Sequence, residues 1–189
     1  MIHYLRLAVL LLPIFLASCV NLGTAEQRQE RIHKLSREIV QLSPEIGDRE
    51  ADKLAFTAVE SSAALARDFK PVPIAWINNN LVNSGLRKRG LCYHWREDLF
   101  PHLHALKLKT IDLHLASARR ATRFEHNCIV VTARGQRFDD GIALDPWRGC
   151  GVLTWTKVSE DRYPWQPLPR DLTPDVLRPL LMPELYPPQ

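Results

Sequence analysis

The sequence predicts an α+β fold, with helices first and an antiparallel sheet of about four strands after them. Three observations carry that prediction. Apolar residues recur at helical spacing through the first half of the chain. Past residue 110 the pattern changes to strict alternation and β-branched runs. Turn-forming residues then separate those runs into pieces short enough to pair as hairpins.

Residues 24–42 carry Ile32, Leu35, Ile39 and Leu42 at helical spacing among many charges, an amphipathic helix closed by Ser43-Pro44. Ala51, Leu54, Ala55, Ala58, Val59, Ser62, Leu65 and Ala66 form a second stripe, whose small residues permit close packing. Pro71 and Pro73 break it. A short third helix follows over residues 74–83, with Ile74, Ile77 and Leu81 inward. Gly90 precedes a fourth helix that begins near Cys92 and turns Cys92, Trp95, Leu99, Leu103 and Leu106 inward. Pro101 is expected to kink or restart it. Ile111, Leu113 and Leu115 alternate with Thr110, Asp112 and His114, a strand with one buried face. Residues 127–132 form a second strand, and 142–145 return beside it after the turn signals Arg134-Gly135 and Asp139-Asp140-Gly141. Residues 151–156 give a last strand. The proline-rich tail after Tyr163 is expected to wrap the surface as extended coil.

The N-terminus reads as an export signal. A polar start with one cation, Arg6, leads into an apolar run over residues 7–16, far short of the roughly 20 residues that span a bilayer. Leu16-Ala17-Ser18-Cys19 resembles the lipobox of bacterial lipoproteins, which implies cleavage before Cys19, lipidation of its sulfur and palmitate among the acyl groups. Val20 follows where an aspartate would favour inner-membrane retention. The resemblance therefore implies an outer-membrane anchor facing the periplasm. Residues 1–18 are then the signal peptide, and 19–189 one lipid-anchored domain. Loss of Arg6 takes the formal charge from +4 to +3, which suits acidic polymers or anionic lipid and gives no argument for nucleic acid.

Three cysteines remain: Cys92, Cys128 and Cys150. In a compartment that permits disulfides an odd number leaves one thiol over; a Cys128–Cys150 bridge and two buried thiols are both open. Cys92 falls at a helix start, where free amides and the helix dipole favour a thiolate. His126 opens one strand and Asp145 closes the next, so a hairpin brings imidazole and carboxylate to one end of the sheet. Sulfur as nucleophile, His126 as base and acid, and Asp145 orienting the ring are the roles this set allows.

Gly90-Leu91-Cys92-Tyr93-His94-Trp95, Glu125-His126-Asn127 and Ala143-Leu144-Asp145-Pro146-Trp147 together resemble the papain-like superfamily, most of all its transglutaminase-like branch. The resemblance covers roughly residues 85–156. It implies a thiol enzyme cleaving or transferring at a peptide or amide bond: protease, amidase or acyltransferase. The family's polar oxyanion side chain has no clear counterpart; Asn79 and Asn80 are the candidates. His94 reads as a surface or supporting residue. His102 and His104 point apart on a helix, and no cysteines stand at zinc spacing, so neither metal nor cofactor is expected. Arg87-Lys88-Arg89 reads as a solvated loop, with attraction of an acidic substrate as its alternative. The competing function is a non-catalytic outer-membrane lipoprotein that binds a protein partner through the stripe of its first helix.

Overall fold

A computed structural model describes residues 20–186. The export signal and the lipidation site Cys19 lie outside those residues. Within them the chain is α+β, as its patterning predicts.

Helix α1 (Ala25–Val40) starts at Thr24, whose hydroxyl accepts from the Gln27 amide while Gln27 Oε1 accepts from the Thr24 amide at 2.9 Å. That reciprocal cap satisfies two amides the helix end would otherwise strand. Ile32, Leu35 and Ile39 are buried against α2 (Asp48–Phe69), so this stripe packs on its own core and is not an open surface. Ala51, Ala55 and Ala58 of α2 are fully buried and let the backbones approach. Helix α3 (Ala75–Asn83) is short and leads through a loop to α4 (Cys92–His104). Of the two outcomes expected at Pro101, a kink or a restart, the restart does not occur: α4 runs through it. It sits close to the C-terminal end, where few intrahelical bonds remain to be lost.

The sheet has five antiparallel strands in the order β4-β3-β2-β1-β5. They are β1 (Ile111–Ala118), β2 (His126–Ala133), β3 (Ile142–Asp145), β4 (Thr154–Lys157) and β5 (Trp165–Pro167). Two expectations change here. The last predicted strand begins later, because Gly149 to Leu153 are spent on the turn after β3. The tail is also more than coil: Trp165–Pro167 pairs with β1, Ala118 opposite Trp165. A one-turn helix, α5 (Arg178–Leu181), follows in the tail.

Alternation divides the sheet's two faces. Ile111, Leu115, Ile129, Val131, Ile142 and Leu144 meet the helices in the main core. Ala116, Ala118, Cys128, Val130 and Ala143 face the other way, under Val158 and Trp165. The central strand β2 is therefore buried along its whole length. Among the described residues no helix is long and apolar enough to cross a membrane.

Two devices fix the start of α4. Gly90 has φ +136°, a conformation costly for a residue with a Cβ. His94 is buried, and its Nδ1 accepts from the amides of Gly90 and Leu91, each at 3.2 Å. An acceptor nitrogen must be unprotonated. Burial, helped by the Arg89 charge, accordingly holds the His94 pKa below its usual 6.5. A histidine lowered in this way contributes stability that is complete above pH 6.5 and is lost as the pH falls below it. His94→Ala is expected to cost about 1–2 kcal/mol in denaturant unfolding at pH 7.5, as loss of a cap does, and to flatten the fall in stability below pH 6.5.

Candidate active site

Cys92 is the first residue of α4, and its sulfur is held at the end of the sheet. Asn127 Nδ2 donates toward Sγ at 3.7 Å, and Sγ lies 3.9 Å from the Glu125 carbonyl it can donate to. His126 opens β2 on the face turned away from the helices, and Asp145 closes β3 on that same face. The register pairs Ile129 with Leu144. Continued by one residue, it sets Asp145 across from Cys128 and diagonal to His126, within reach of an imidazole. His126 Nε2 donates to Asp145 Oδ2 at 2.6 Å, and both side chains are almost fully buried. Cys92 lines the same cleft as His126 and acts with Asp145 to raise the pKa of the ring. The three predicted residues therefore meet.

The electrostatics of His126 follow from these partners. Burial alone would lower its pKa, but hydrogen bonds with Asp145 and Cys92, together with their charges, raise it to about 9. The ring is cationic at neutral pH. It is also caged: its centroid lies 4.6 Å from those of Trp147 and Tyr163 and 5.2 Å from that of Trp165. Those contacts fix one orientation and keep water from the Asp145 bond.

Asp145 has more partners than the histidine. Its Oδ1 accepts from the amides of Trp147 (3.0 Å) and Arg148 (3.3 Å), and its Oδ2 also accepts from Arg148 Nε at 2.6 Å. Arg148 continues to Asp161, and Asp161 accepts from Trp165 Nε1 at 2.9 Å. The result is a chain of polar contacts from His126 through Asp145 and Arg148 to Asp161 and the tail strand. Arg148 and Asp161 escape sequence reasoning; the Asp-Pro-Trp-Arg turn was their only local signal. A second unforeseen group lies behind the sulfur. Arg96, one turn after Cys92 on α4, is 5% exposed and donates to Asn127 Oδ1, which orients the amide that faces Sγ.

The cleft over these groups holds about 160 Å³ and is lined by Asn79, Cys92, Glu125, His126, Trp147 and Tyr163, with Arg119, Arg123 and Phe124 at its mouth. Asn79, one of two oxyanion candidates, lies here; its Oδ1 accepts from Trp147 Nε1 at 3.0 Å, leaving Nδ2 to donate. Asn80 is exposed and does not line the cleft. A larger groove of about 820 Å³ opens over Leu65, Phe69, Leu81 and Leu86, but no cysteine or histidine lines it. Chemistry, not size, places the site at the smaller cleft.

Other expectations resolve as follows. Cys128 and Cys150 are buried free thiols, not a disulfide. Burial raises the pKa of both, well above the usual range for Cys128, and Asn78 donates toward Cys150 at 3.5 Å. Arg87-Lys88-Arg89 does not reach the cleft; Arg87 donates to the Phe69 carbonyl and Arg89 pairs with Asp98 at 2.8 Å. Among the described residues no group of three or more His, Cys, Asp or Glu is arranged to hold a metal.

Comparison with protein-family models, with curated proteins and with solved structures finds no match to this chain. Function must therefore be argued from the site itself. Its first test is the imidazole. In the NMR spectrum the His126 ring is expected to lose its proton only as the pH rises through about 9. Asp145→Asn, which removes the carboxylate, should move that midpoint down. Titration of the native ring near 6.5 would contradict the geometry.

Proposed function

We propose that this chain is a thiol enzyme of papain-like, transglutaminase-like type that cleaves or transfers at a peptide or amide bond. The observation that carries the reading is the His126–Asp145 hydrogen bond at 2.6 Å, with Cys92 lining the same cleft as the imidazole. A buried carboxylate that orients an imidazole, itself beside a sulfur at a helix start, meets the geometric requirements for nucleophilic catalysis.

The chemistry follows from the charges. The attacking form is the Cys92 thiolate, with the His126 imidazolium as its neighbour. Sγ adds to the carbonyl carbon, and the oxygen takes the electron pair. The Cys92 amide, with Asn79 Nδ2, supplies donors to that oxygen. As the tetrahedral species collapses, the carbon–nitrogen bond breaks and His126 gives its proton to the departing amine, leaving a thioester. His126, now neutral, takes a proton from water or an acceptor amine, which attacks the thioester and releases Cys92. Asp145 accepts the ring N–H, stabilising the charged ring and holding it in place. Because the first half-reaction needs the imidazolium, it is served at neutral pH and fails as the pH rises through about 9.

The same proposal places the domain on a membrane through lipid on Cys19, at the outer membrane facing the periplasm, with envelope peptides as accessible substrates. The Leu16-Ala17-Ser18-Cys19 sequence supports it. Stable anchoring needs more than one acyl chain, since one alone binds marginally. Palmitate fed to producing cells is expected to label the chain, and Cys19→Ala to abolish that label.

The enzyme reading is tested by alkylation of the folded protein with iodoacetamide at pH 6.5, read by mass spectrometry. Cys92 should label well before Cys128 and Cys150, which the core protects until unfolding. His126→Ala should slow Cys92 labelling by about ten-fold or more, since the thiolate is the reacting form. A rate indifferent to His126 would overturn the reading.

A further inference from the structure

The cations at the mouth of the cleft come from the loop between β1 and β2, not from the basic run before α4. Arg119 and Arg123 both line the cleft, and Arg120 and Arg162 flank it in sequence. Among the described residues none of these four guanidinium groups has an acidic partner or donates a hydrogen bond within the protein. Three of the four charges lie near aromatic rings instead. Arg119 lies 5.6 Å from the centroid of Tyr163, Arg162 lies 5.3 Å from the same ring, and Arg123 lies 4.5 Å from Phe124. A charge near a ring is attracted to its face while its N–H fork remains free for a carboxylate.

The loop that carries them is built to hold still. Arg119 (φ +53°) and Ala121 (φ +61°) occupy the left-handed region without being glycines. Such strain persists only where surrounding bonds enforce it. Here Thr122 Oγ1 donates to the Arg119 carbonyl at 2.7 Å, and Glu125 Oε2 accepts from the Ala121 amide at 2.8 Å. Glu125 is the acid in the lining, and it is occupied: Oε2 holds the loop and Oε1 accepts from Asn127 Nδ2 at 3.2 Å. The buried acids deeper in, Asp145 and Asp161, are matched to His126 and Arg148. Glu125 keeps its charge, but the two arginines outnumber it, so the lining that includes Cys92 carries a net positive charge before His126 is counted.

We infer that the cleft takes an acidic peptide, binding a carboxylate next to the scissile amide between Arg119 and Arg123. The assignment rests on Cys92 being the nucleophile. About 160 Å³ is the volume of roughly five waters, room for one residue-sized group and not for an extended chain. The selected charge therefore lies on the residue entering the cleft or on its immediate neighbour. A planar fork binds a carboxylate through two parallel N–H bonds, which gives direction as well as attraction.

Iodoacetate is the smallest carboxylate that reports on this geometry, and iodoacetamide is its neutral match. Each forms a sulfur–carbon bond at Cys92 and releases iodide. The ratio of the iodoacetate to the iodoacetamide rate at Cys92 is expected to exceed the same ratio for glutathione by about ten-fold, the effect of opposite charge near a partly desolvated site. It should fall by about three-fold or more in Arg119→Gln/Arg123→Gln, and fall again in about 0.5 M salt, which screens exposed charges. A ratio unchanged by the double substitution overturns the inference, as does a cleft that admits neither reagent. The iodoacetamide rate in His126→Ala separates the two claims. Sensitivity to His126 without sensitivity to the arginines leaves the thiol enzyme standing and removes its acidic substrate. Sensitivity to the arginines without sensitivity to His126 leaves an anion-binding mouth and overturns the substrate assignment together with the chemistry.

Discussion

The carboxylate of Asp145 is the constraint around which this structure is organised. It is 1% exposed, and a lone ionised carboxylate so placed would cost several kcal/mol or more. The chain meets that cost from four directions: two amides of the turn that follows, the Arg148 guanidinium and the His126 ring. Each donor comes from a different structural commitment. The amides require the chain to turn sharply after β3. Arg148 requires Asp161 and the tail to hold its other end. His126 requires β2 and β3 to pair in one register, since a slip of one residue would turn the imidazole into the helical core.

The tail strand depends on the same hub. A three-residue strand is too short to hold itself on a sheet edge. Trp165 is anchored by Asp161 through its indole N–H and by a tilted ring contact with His126, so the polar chain and the aromatic cage place β5 together. In return β5 and Tyr163 cover the face of the sheet opposite the helices and keep the Asp145–His126 bond dry. On the helical side, Gly151 (φ +104°) lets the turn after β3 approach α2 so closely that a Cβ there would collide with that of Ala66. The turn that supplies amides to Asp145 is thereby pressed between α2 and the end of the sheet.

How much of this was legible depended on the range of the interaction. The helix stripes, the change to alternation at Ile111 and the hairpin from β2 to β3 are local patterns, and they placed Cys92 at a helix start with His126 and Asp145 at strand ends. The pairing of His126 with Asp145 was legible because two adjacent strands and one turn determine it. Arg148 and Asp161 were not, since their partnership depends on where the tail returns, and β5 carries only Trp165, Gln166 and Pro167 to announce it. His94 looked like a surface or supporting residue; it is buried, and its capping role became visible only once Gly90 and Leu91 were seen to present free amides. Arg87-Lys88-Arg89 showed the limit of sequence distance. It lies beside Cys92 in the chain, yet its arginines turn to Phe69 and Asp98, while Arg119 and Arg123 reach the cleft across a hairpin.

The three cysteines show how position alone sorts one residue type into different chemistry. Cys128 sits on the same β2 face as His126, two residues away, but burial among Val130, Ala143 and Trp165 raises its pKa and keeps the thiol neutral. Cys150 lies in the turn, buried and touched by Asn78 alone among polar side chains. Cys92 differs in its surroundings: it is partly exposed, at a helix start, beside an imidazole held cationic and an amide held by Arg96. Apolar packing would have been the cheaper way to fill the end of this sheet, because buried ion pairs add little stability beyond a well-packed apolar replacement. A histidine, an aspartate and two arginines are kept there instead, each buried or half-buried, with His126 and Arg148 paired to Asp145 and the Arg96 Nε left without a partner, and Cys92 lines the cleft beside them. That asymmetry favours chemistry over stability as the reason for the arrangement.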